Sequence, residues 1–301
     1  MISGEGSKFT LIRCEDDAGW LEQRKRGIGG SDVAAIMGLS PWKSPLEVWL
    51  EKTNRADSPD LSGKEAVAMG TELEGDVLEM YRRRHPTSRV QRVNAVCVDG
   101  QRPWAQASLD GIVRDPELGW GVLEIKTGSR ESEWAAGVPL HYLTQVTHYL
   151  SVTGYPFADV AALIGDYGLH YHEYRVMRDE DDLKAVVVAV DTFWVDCVEK
   201  DEMPPYVSSL ESEGKALSEL YKRSDEEMTP DDSARTEKLA RRLETLNELI
   251  RVSSADKQQV TNELKRLVGE HKGIIAQDHI ITWSRTEKRD MGIRIRAKKK
   301  G

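Results

Sequence analysis

Residues 109–126 read Leu109-Asp110-Gly111-Ile112-Val113-Arg114-Asp115-Pro116-Glu117-Leu118-Gly119-Trp120-Gly121-Val122-Leu123-Glu124-Ile125-Lys126. Side chains alternate along a strand, so a strand over 121–126 puts Glu124 and Lys126 on one face and Leu123 and Ile125 on the other. Asp110 stands at an Asp-Gly turn between strand-like stretches at 104–108 and 111–114, which fits a hairpin feeding the same sheet. An aspartate, a glutamate and a lysine converging at a sheet edge make a site for a hard cation beside an ammonium. Carboxylates hold Mg2+ while leaving waters on it. The cation makes such a water acidic and neutralises charge growing on a phosphate. The ammonium orients the water or stabilises the developing charge. These are the parts that phosphodiester hydrolysis requires. The spacing alone also occurs on ordinary surface strands that carry a Glu–Lys pair, so the weight of this reading comes from its surroundings.

Upstream, a helix expected over 65–84 and stopped before Pro86 carries Glu72 and Glu74, either of which could add a metal ligand. Further back, Arg24-Lys25-Arg26-Gly27-Ile28-Gly29-Gly30-Ser31-Asp32 reads as a turn before a short helix over 32–37. Ser31 is its N-cap, and Gly38 ends it. Backbone N–H groups at that start, with Arg24 or Arg26 beside them, would form a phosphate pocket. The stretch lacks a Gly-Lys-Ser/Thr ending and is not a nucleotide-binding loop. Downstream, a helix over 139–152 places His141, Gln145 and His148 on one exposed face and Leu143, Val146 and Leu150 on the buried one. Gln145 then faces the metal site or the DNA backbone. His85, His170 and His172 do not form a zinc set.

The remaining elements give an α/β order with strands clustered in the middle. Ser44-Pro45-Leu46-Glu47 is a capping box with proline at the first helical position. A loop is expected over 57–63, a strand over 94–99, a hairpin over 158–164 and 169–176 turning at Gly165-Asp166-Tyr167-Gly168, and an amphipathic helix over 179–200. Pro204-Pro205 marks a boundary, dividing a core at 1–205 from an extension at 206–301. In the extension, Leu239, Leu243, Leu246 and Ile250, then Val260, Leu264 and Leu267, each line one helix face. A break at Ser253-Ser254 predicts an antiparallel helical hairpin. A short strand, Ile280-Ile281-Thr282-Trp283, and a basic tail follow, with eight Lys or Arg against two acids over 285–300. That tail either contacts phosphates without reading sequence or is a disordered charged end.

The whole chain has 301 residues, 39% apolar and 31% charged, with a net charge of −9. A nucleic-acid enzyme with this balance must confine its basic residues to one surface. Cys14, Cys97 and Cys197 are odd in number and far apart, which excludes a disulfide framework or zinc knuckle. The opening MISGEGSKFT has no secretory pattern, and the stretch over 185–198 is interrupted by Asp191 and Asp196 and cannot span a bilayer. A reduced, soluble, cytoplasmic protein with no membrane partner is expected.

Taken in order, several segments resemble the YqaJ-type viral recombinase family, to which the phage lambda exonuclease is related within the PD-(D/E)xK nucleases. They are the run from Arg24 to Asp32, Gly38-Leu39-Ser40-Pro41-Trp42-Lys43-Ser44-Pro45, Gly70-Thr71-Glu72-Leu73-Glu74, and Ala107-Ser108-Leu109-Asp110-Gly111. Leu123-Glu124-Ile125-Lys126 and Tyr142-x-x-Gln145-Val146 with Val152-Thr153-Gly154 complete the set. The resemblance implies an α/β, restriction-endonuclease-like core, a central mixed β-sheet flanked by helices, here with a helical C-terminal extension. It implies that Asp110 and Glu124 are metal ligands, Lys126 the catalytic lysine and Glu74 the helix-borne carboxylate. The metal would be Mg2+, with Mn2+ as a substitute, as one or two ions. Arg24, Ser31, Ser108 and Gln145 fall where the family handles the DNA terminus and its 5′-phosphate. The implied activity is 5′→3′ digestion of one strand of double-stranded DNA, leaving a 3′ overhang for a separate single-strand annealing protein. The implied assembly is a homo-oligomer, a ring of three subunits. Thr147 stands where the family usually has a second glutamine, and residues after 208 exceed the compact members. Two other readings stay open: an endonuclease on the same core, and a non-catalytic DNA-end-binding protein.

Overall fold

The computed structural model describes residues 8–57, 63, 65–165, 168–205, 207–222, 228, 231, 233–286 and 289–298. In chain order the elements begin with β1 (Phe9–Ile12), α1 (Asp17–Lys25), α2 (Gly30–Ile36), α3 (Pro45–Lys52) and α4 (Glu65–Arg84). Strands β2 (Arg89–Arg92), β3 (Val96–Asp99), β4 (Gln106–Ser108), β5 (Gly111–Asp115) and β6 (Gly119–Gly128) follow. A 3-10 turn (Glu131–Trp134) leads to α5 (Leu140–Thr153), β7 (Phe157–Gly165), β8 (Leu169–Met177) and α6 (Glu180–Thr192), which runs into a π-helical turn (Phe193–Glu199). Then come α7 (Glu211–Leu220), α8 (Ala234–Val268), β9 (Gly273–Ile275), β10 (His279–Thr286) and β11 (Arg289–Ala297).

Five strands form the central sheet in the order β2-β5-β6-β7-β8. Only the β6–β7 pair is parallel, so the sheet is mixed as expected. The crossover between those strands is α5, which packs on the face that carries Glu124 and Lys126. Behind the other face lies α4, whose Val77, Leu78 and Tyr81 pack against Val113, Leu123, Ile125 and Phe157. The sheet is thus covered on both sides, and β7 is buried at eight of its nine positions, as a central strand must be. A smaller sheet, β1-β3-β4, extends the α5 side.

Local signals were realised where the chemistry is local. Ser44 caps α3 through Oγ on Glu47 N, and Glu47 returns a carboxylate to Ser44 N at 2.8 Å. Helix α5 ends at Gly154 with φ 74°, a left-handed position that suits glycine. The three cysteines are free. No helix among the described residues is long and apolar enough to cross a membrane.

Four expectations change. The start of α2 lies two residues earlier than predicted: Gly29 is the N-cap, and Ser31 stands inside the first turn. Asp32, not Ser31, makes the capping contact, accepting Gly29 N at 3.3 Å. The boundary expected after residue 205 falls later, because the chain divides into compact units at 1–223 and 224–301. Helix α7 belongs to the first unit: Ser212 Oγ donates to Glu47 at 2.8 Å, and Ala216, Leu217 and Leu220 pack on the cluster around Phe193. The predicted helical hairpin is one continuous 35-residue helix, α8. Ser253 and Ser254 are only mild helix formers, and with no glycine or proline nearby the backbone ladder runs through them. The basic tail pairs as β11 with β10, Arg294 opposite Thr282 and Arg296 opposite Ile280, so Arg289 to Ala297 is a strand. Asp166 and Tyr167 of the expected turn, residues 58–62 of the expected loop, and Glu287, Lys288, Lys299 and Lys300 of the tail lie outside the described residues.

Candidate active site

The β5–β6 hairpin brings the three residues of the opening stretch together. Asp110, just before β5, accepts the backbone N–H of Ile125 through Oδ2 at 2.7 Å, which fixes its carboxylate against β6. On β6, Lys126 Nζ donates to Glu124 Oε1 at 2.6 Å. Gln145 Nε2, from α5, donates to the same oxygen at 2.7 Å and lies 2.8 Å from the Tyr149 hydroxyl. Glu124 Oε2 is buried and has no hydrogen-bond partner. Lys126 also lies over the Tyr142 ring, 4.7 Å from its centroid.

The electrostatics of this cluster are unbalanced. Burial first, and the neighbouring Asp110 second, push the Glu124 pKa up to about 8. Burial also raises Asp110, with Lys126 and the Ile125 N–H working against it. Lys126 is held above its ordinary value: burial alone would lower it, but Glu124 and Asp110 outweigh that loss. Glu74, from α4, lines a cavity with Asp110, Lys126, Gly70 and Thr71, and burial followed by Asp110 raises its pKa. Its carboxylate is engaged by Arg92 at 3.2 Å. Among the described residues no three His, Cys, Asp or Glu side chains form a ready-made metal cage. Asp110 and Glu124 are the close pair, and Glu74 shares a cavity with Asp110 and Lys126.

A second cavity, of about 250 Å³, opens on the other side of Asp110, Glu124 and Lys126. Its wall includes Arg24, Ser31, Ser108 and Gln145, so every residue to which the family resemblance gives a role borders one cavity or the other. Arg24 donates to Ser31 Oγ at 3.2 Å and lies over the Trp20 ring, 4.9 Å from its centroid. Gly30 lets α2 come this close. A Cβ there would stand 2.5 Å from the Tyr149 ring and 2.8 Å from Gln145, so no larger residue fits without moving α5.

Two features escaped the sequence reading. Asp32 is fully buried and meets Lys52 at 2.8 Å, Lys43 at 3.0 Å and Arg24 at 3.8 Å. Burial works to raise its pKa, but Lys43, Lys52 and Arg24 together hold the carboxyl well below the usual range. This set anchors the helices that carry Arg24 and Ser31. His148, expected on an exposed face, is fully buried. Its Nε2 lies 3.0 Å from the Gln106 carbonyl and 3.2 Å from that of Ile28. Burial pushes its pKa down to about 4, so it is a neutral donor that ties α5 to β4 and to the turn before α2. The i, i+7 pattern from His141 misled because that face of α5 is covered by α2 and β4. On the same helix, His141 meets the Trp42 ring edge-on at 4.7 Å, beside Tyr142.

With this geometry the relatives can be read. The model of the YqaJ-like viral recombinase domain matches residues 19–156, from α1 to just past α5, the stretch that holds every residue lining both cavities. Among solved structures, an alkaline exonuclease (LHK-Exo) from Laribacter hongkongensis is similar at a TM-score of 0.50 and 20% identity, covering 67% of this chain and 99% of that one. The same enzyme in complex with dAMP matches to the same extent. The fold is a restriction-endonuclease-like α/β core, shared with that exonuclease. The YqaJ protein of Bacillus subtilis (strain 168) is 30% identical over 251 residues, 82% of this chain and 76% of that protein. The chain belongs to the YqaJ-like viral recombinase family.

Proposed function

We propose that this chain is a magnesium-dependent deoxyribonuclease, a 5′→3′ exonuclease acting on the ends of duplex DNA and leaving 3′ overhangs for an annealing partner. The observation that carries the reading is Glu124: a fully buried carboxylate beside a second carboxylate, Asp110, with one oxygen unpartnered and an ammonium on the other. Uncompensated carboxylates beside a phosphate would repel it. The donor set is oxygen only, which fits Mg2+ or Mn2+ and does not fit a soft metal.

Asp110 and Glu124 would hold the ion, with Glu74 on α4 as a further candidate ligand. When bound, such a cation would supply an acidic water and neutralise charge growing on the scissile phosphate. Lys126 donates to the attacking water or to the phosphate oxygens, its ammonium kept charged by the two carboxylates. Gln145, anchored on Tyr149, keeps Glu124 in its rotamer. Arg24 supplies a guanidinium with donors free to fork onto a terminal phosphate, and Ser31 and Ser108 add hydroxyls along the same wall. The Gly29 N–H is already taken by Asp32 and is not itself a donor to the phosphate.

The test is digestion of a linear duplex labelled at either 5′ end, beside a closed circle, with Mg2+ and with chelator. Loss from the ends with an intact circle is expected, and none in chelator. A cut circle selects the endonuclease reading. DNA bound but left whole in Mg2+ selects the end-binding reading.

A further inference from the structure

Helix α8 presents an apolar seam that, among the described residues, its own unit leaves uncovered over most of its length. From Leu239 the positions 239, 243, 246, 250, 253, 257, 260, 264 and 267 follow alternating steps of four and three, the heptad spacing of a coiled-coil seam. Seven of the nine are Leu, Ile or Val; the exceptions are Ser253 and Lys257 at the middle. Six of the seven are between 45% and 68% exposed. The helix has 35 residues, about 52 Å at 1.5 Å per residue, which is long enough for four to five heptads. Only its C-terminal end is occupied by the small β9–β10–β11 sheet, where Val268 is buried.

We propose that α8 is a self-association element, pairing antiparallel with α8 of a second copy of this chain. Charge decides both the partner and the direction. In a parallel pair Lys257 would meet Lys257 in an otherwise apolar layer, and no flanking positions would hold opposite charges. In the antiparallel pair Leu239 packs on Leu264 of the second copy, Leu243 on Val260, Leu246 on Lys257 and Ile250 on Ser253. Each Lys257 then stands alone beside a leucine and can run its methylenes along the seam with its ammonium in water. The same register brings Arg242 against Glu263 of the second copy, twice, on the flank of the seam. It also keeps the two strands with Arg289, Arg294 and Arg296 at opposite ends of the pair. The seam is thus complementary to itself in apolar pattern and in charge. This inference does not rest on the nuclease reading.

Sedimentation of the full chain over a concentration range tests it, with helix content followed by circular dichroism. The wild type is expected to sediment at a multiple of one chain's mass. Leu243→Glu with Ile250→Glu, both at exposed positions, should keep the helix content and weaken association at least roughly 100-fold, because it sets charges in the dehydrated seam. Arg242→Glu alone and Glu263→Arg alone should each weaken it, and the double exchange should restore it. In a parallel pair these two positions are about 30 Å apart along the axis and no rescue would occur. A wild type that sediments as one chain up to roughly 100 µM, weaker than any affinity a seam of this length would give, overturns the proposal. An assembly whose mass is unchanged by the seam substitutions also overturns it, since it is then held elsewhere. Dissociation without rescue by the double exchange overturns the antiparallel register.

Discussion

Two buried charge clusters lie side by side in this molecule, and they are built on opposite principles. Around Asp32 the cations outnumber the acid: Lys43, Lys52 and Arg24 all meet one carboxylate, and its pKa falls well below the usual range. Around Glu124 the acids outnumber the cation: Asp110 and Glu124 share Lys126, the Glu124 pKa climbs to about 8, and one oxygen is left without a partner. The first set is complete as it stands and fastens three helices together. The second leaves a carboxylate oxygen without a partner, at the place where the proposed cation would bind. Buried charge alone does not mark chemistry; a buried carboxyl raised far above its ordinary range, with an oxygen left unpartnered, is the better sign.

The largest expected effect that could break this contrast is on hydrolysis. Lys126→Ala should reduce the rate of duplex digestion by roughly 10²–10³-fold, the scale of losing a charged group aimed at the reacting phosphate. Filter binding should show DNA affinity little changed, and full activity would remove Lys126 from the site. Asp32→Asn should act the other way round, on stability. It leaves Lys52 without its carboxylate and Lys43 with Glu51 alone, and unfolding in urea should show a loss of about 3–5 kcal/mol, as for removal of one partner of a buried ion pair.

The pH dependence sharpens the comparison, because the two clusters have opposite slopes. The folded state lowers the pKa of Asp32, so its contribution is present above its ordinary value of 3.8 and fades as pH falls through the lower folded value. The deficit of Asp32→Asn should therefore be full at neutral pH and shrink on acidification. The folded state raises Glu124 from 4.5 to about 8, so in chelator its contribution is fully present below 4.5 and is lost as pH rises through about 8. Glu124→Gln should remove that decline across the window, measured as urea midpoints at successive pH values. A wild type and Glu124→Gln with parallel pH profiles would show that Glu124 ionises as an ordinary carboxylate. The smallest effect is at the rim. Arg24→Ala should lower the preference for 5′-phosphorylated over 5′-hydroxyl ends roughly tenfold, the scale of one charge-assisted hydrogen bond, read by comparing digestion of the two duplexes.

Much of this was legible in the sequence wherever a short-range rule governed it. Alternation along 121–126 placed Glu124 and Lys126 on one face, and the Asp-Gly turn put Asp110 beside them, as the hydrogen bond from Ile125 N to Asp110 confirms. The capping box at Ser44 and the bounds of α4 and α5 also came from neighbours a few residues apart. The missed features depend on what each element packs against. His148 was assigned to an exposed face because helical periodicity says which residues share a side and not which side is covered. A break at Ser253-Ser254 is what the interruption of the apolar stripe suggests, yet with no glycine or proline there to stop it α8 runs on.

By itself, then, the sequence determined the strand alternation, the turn and the residue types of the site, since these follow from backbone geometry over a few residues. Only the tertiary structure decided that Asp32 would find Lys43 and Lys52, that His148 would be dry and neutral, and that one oxygen of Glu124 would be left unpaired. Ion pairing, desolvation and the pKa values they set depend on distances between segments far apart in the chain. Those distances exist only once α2, α3, α5 and the sheet have closed on one another.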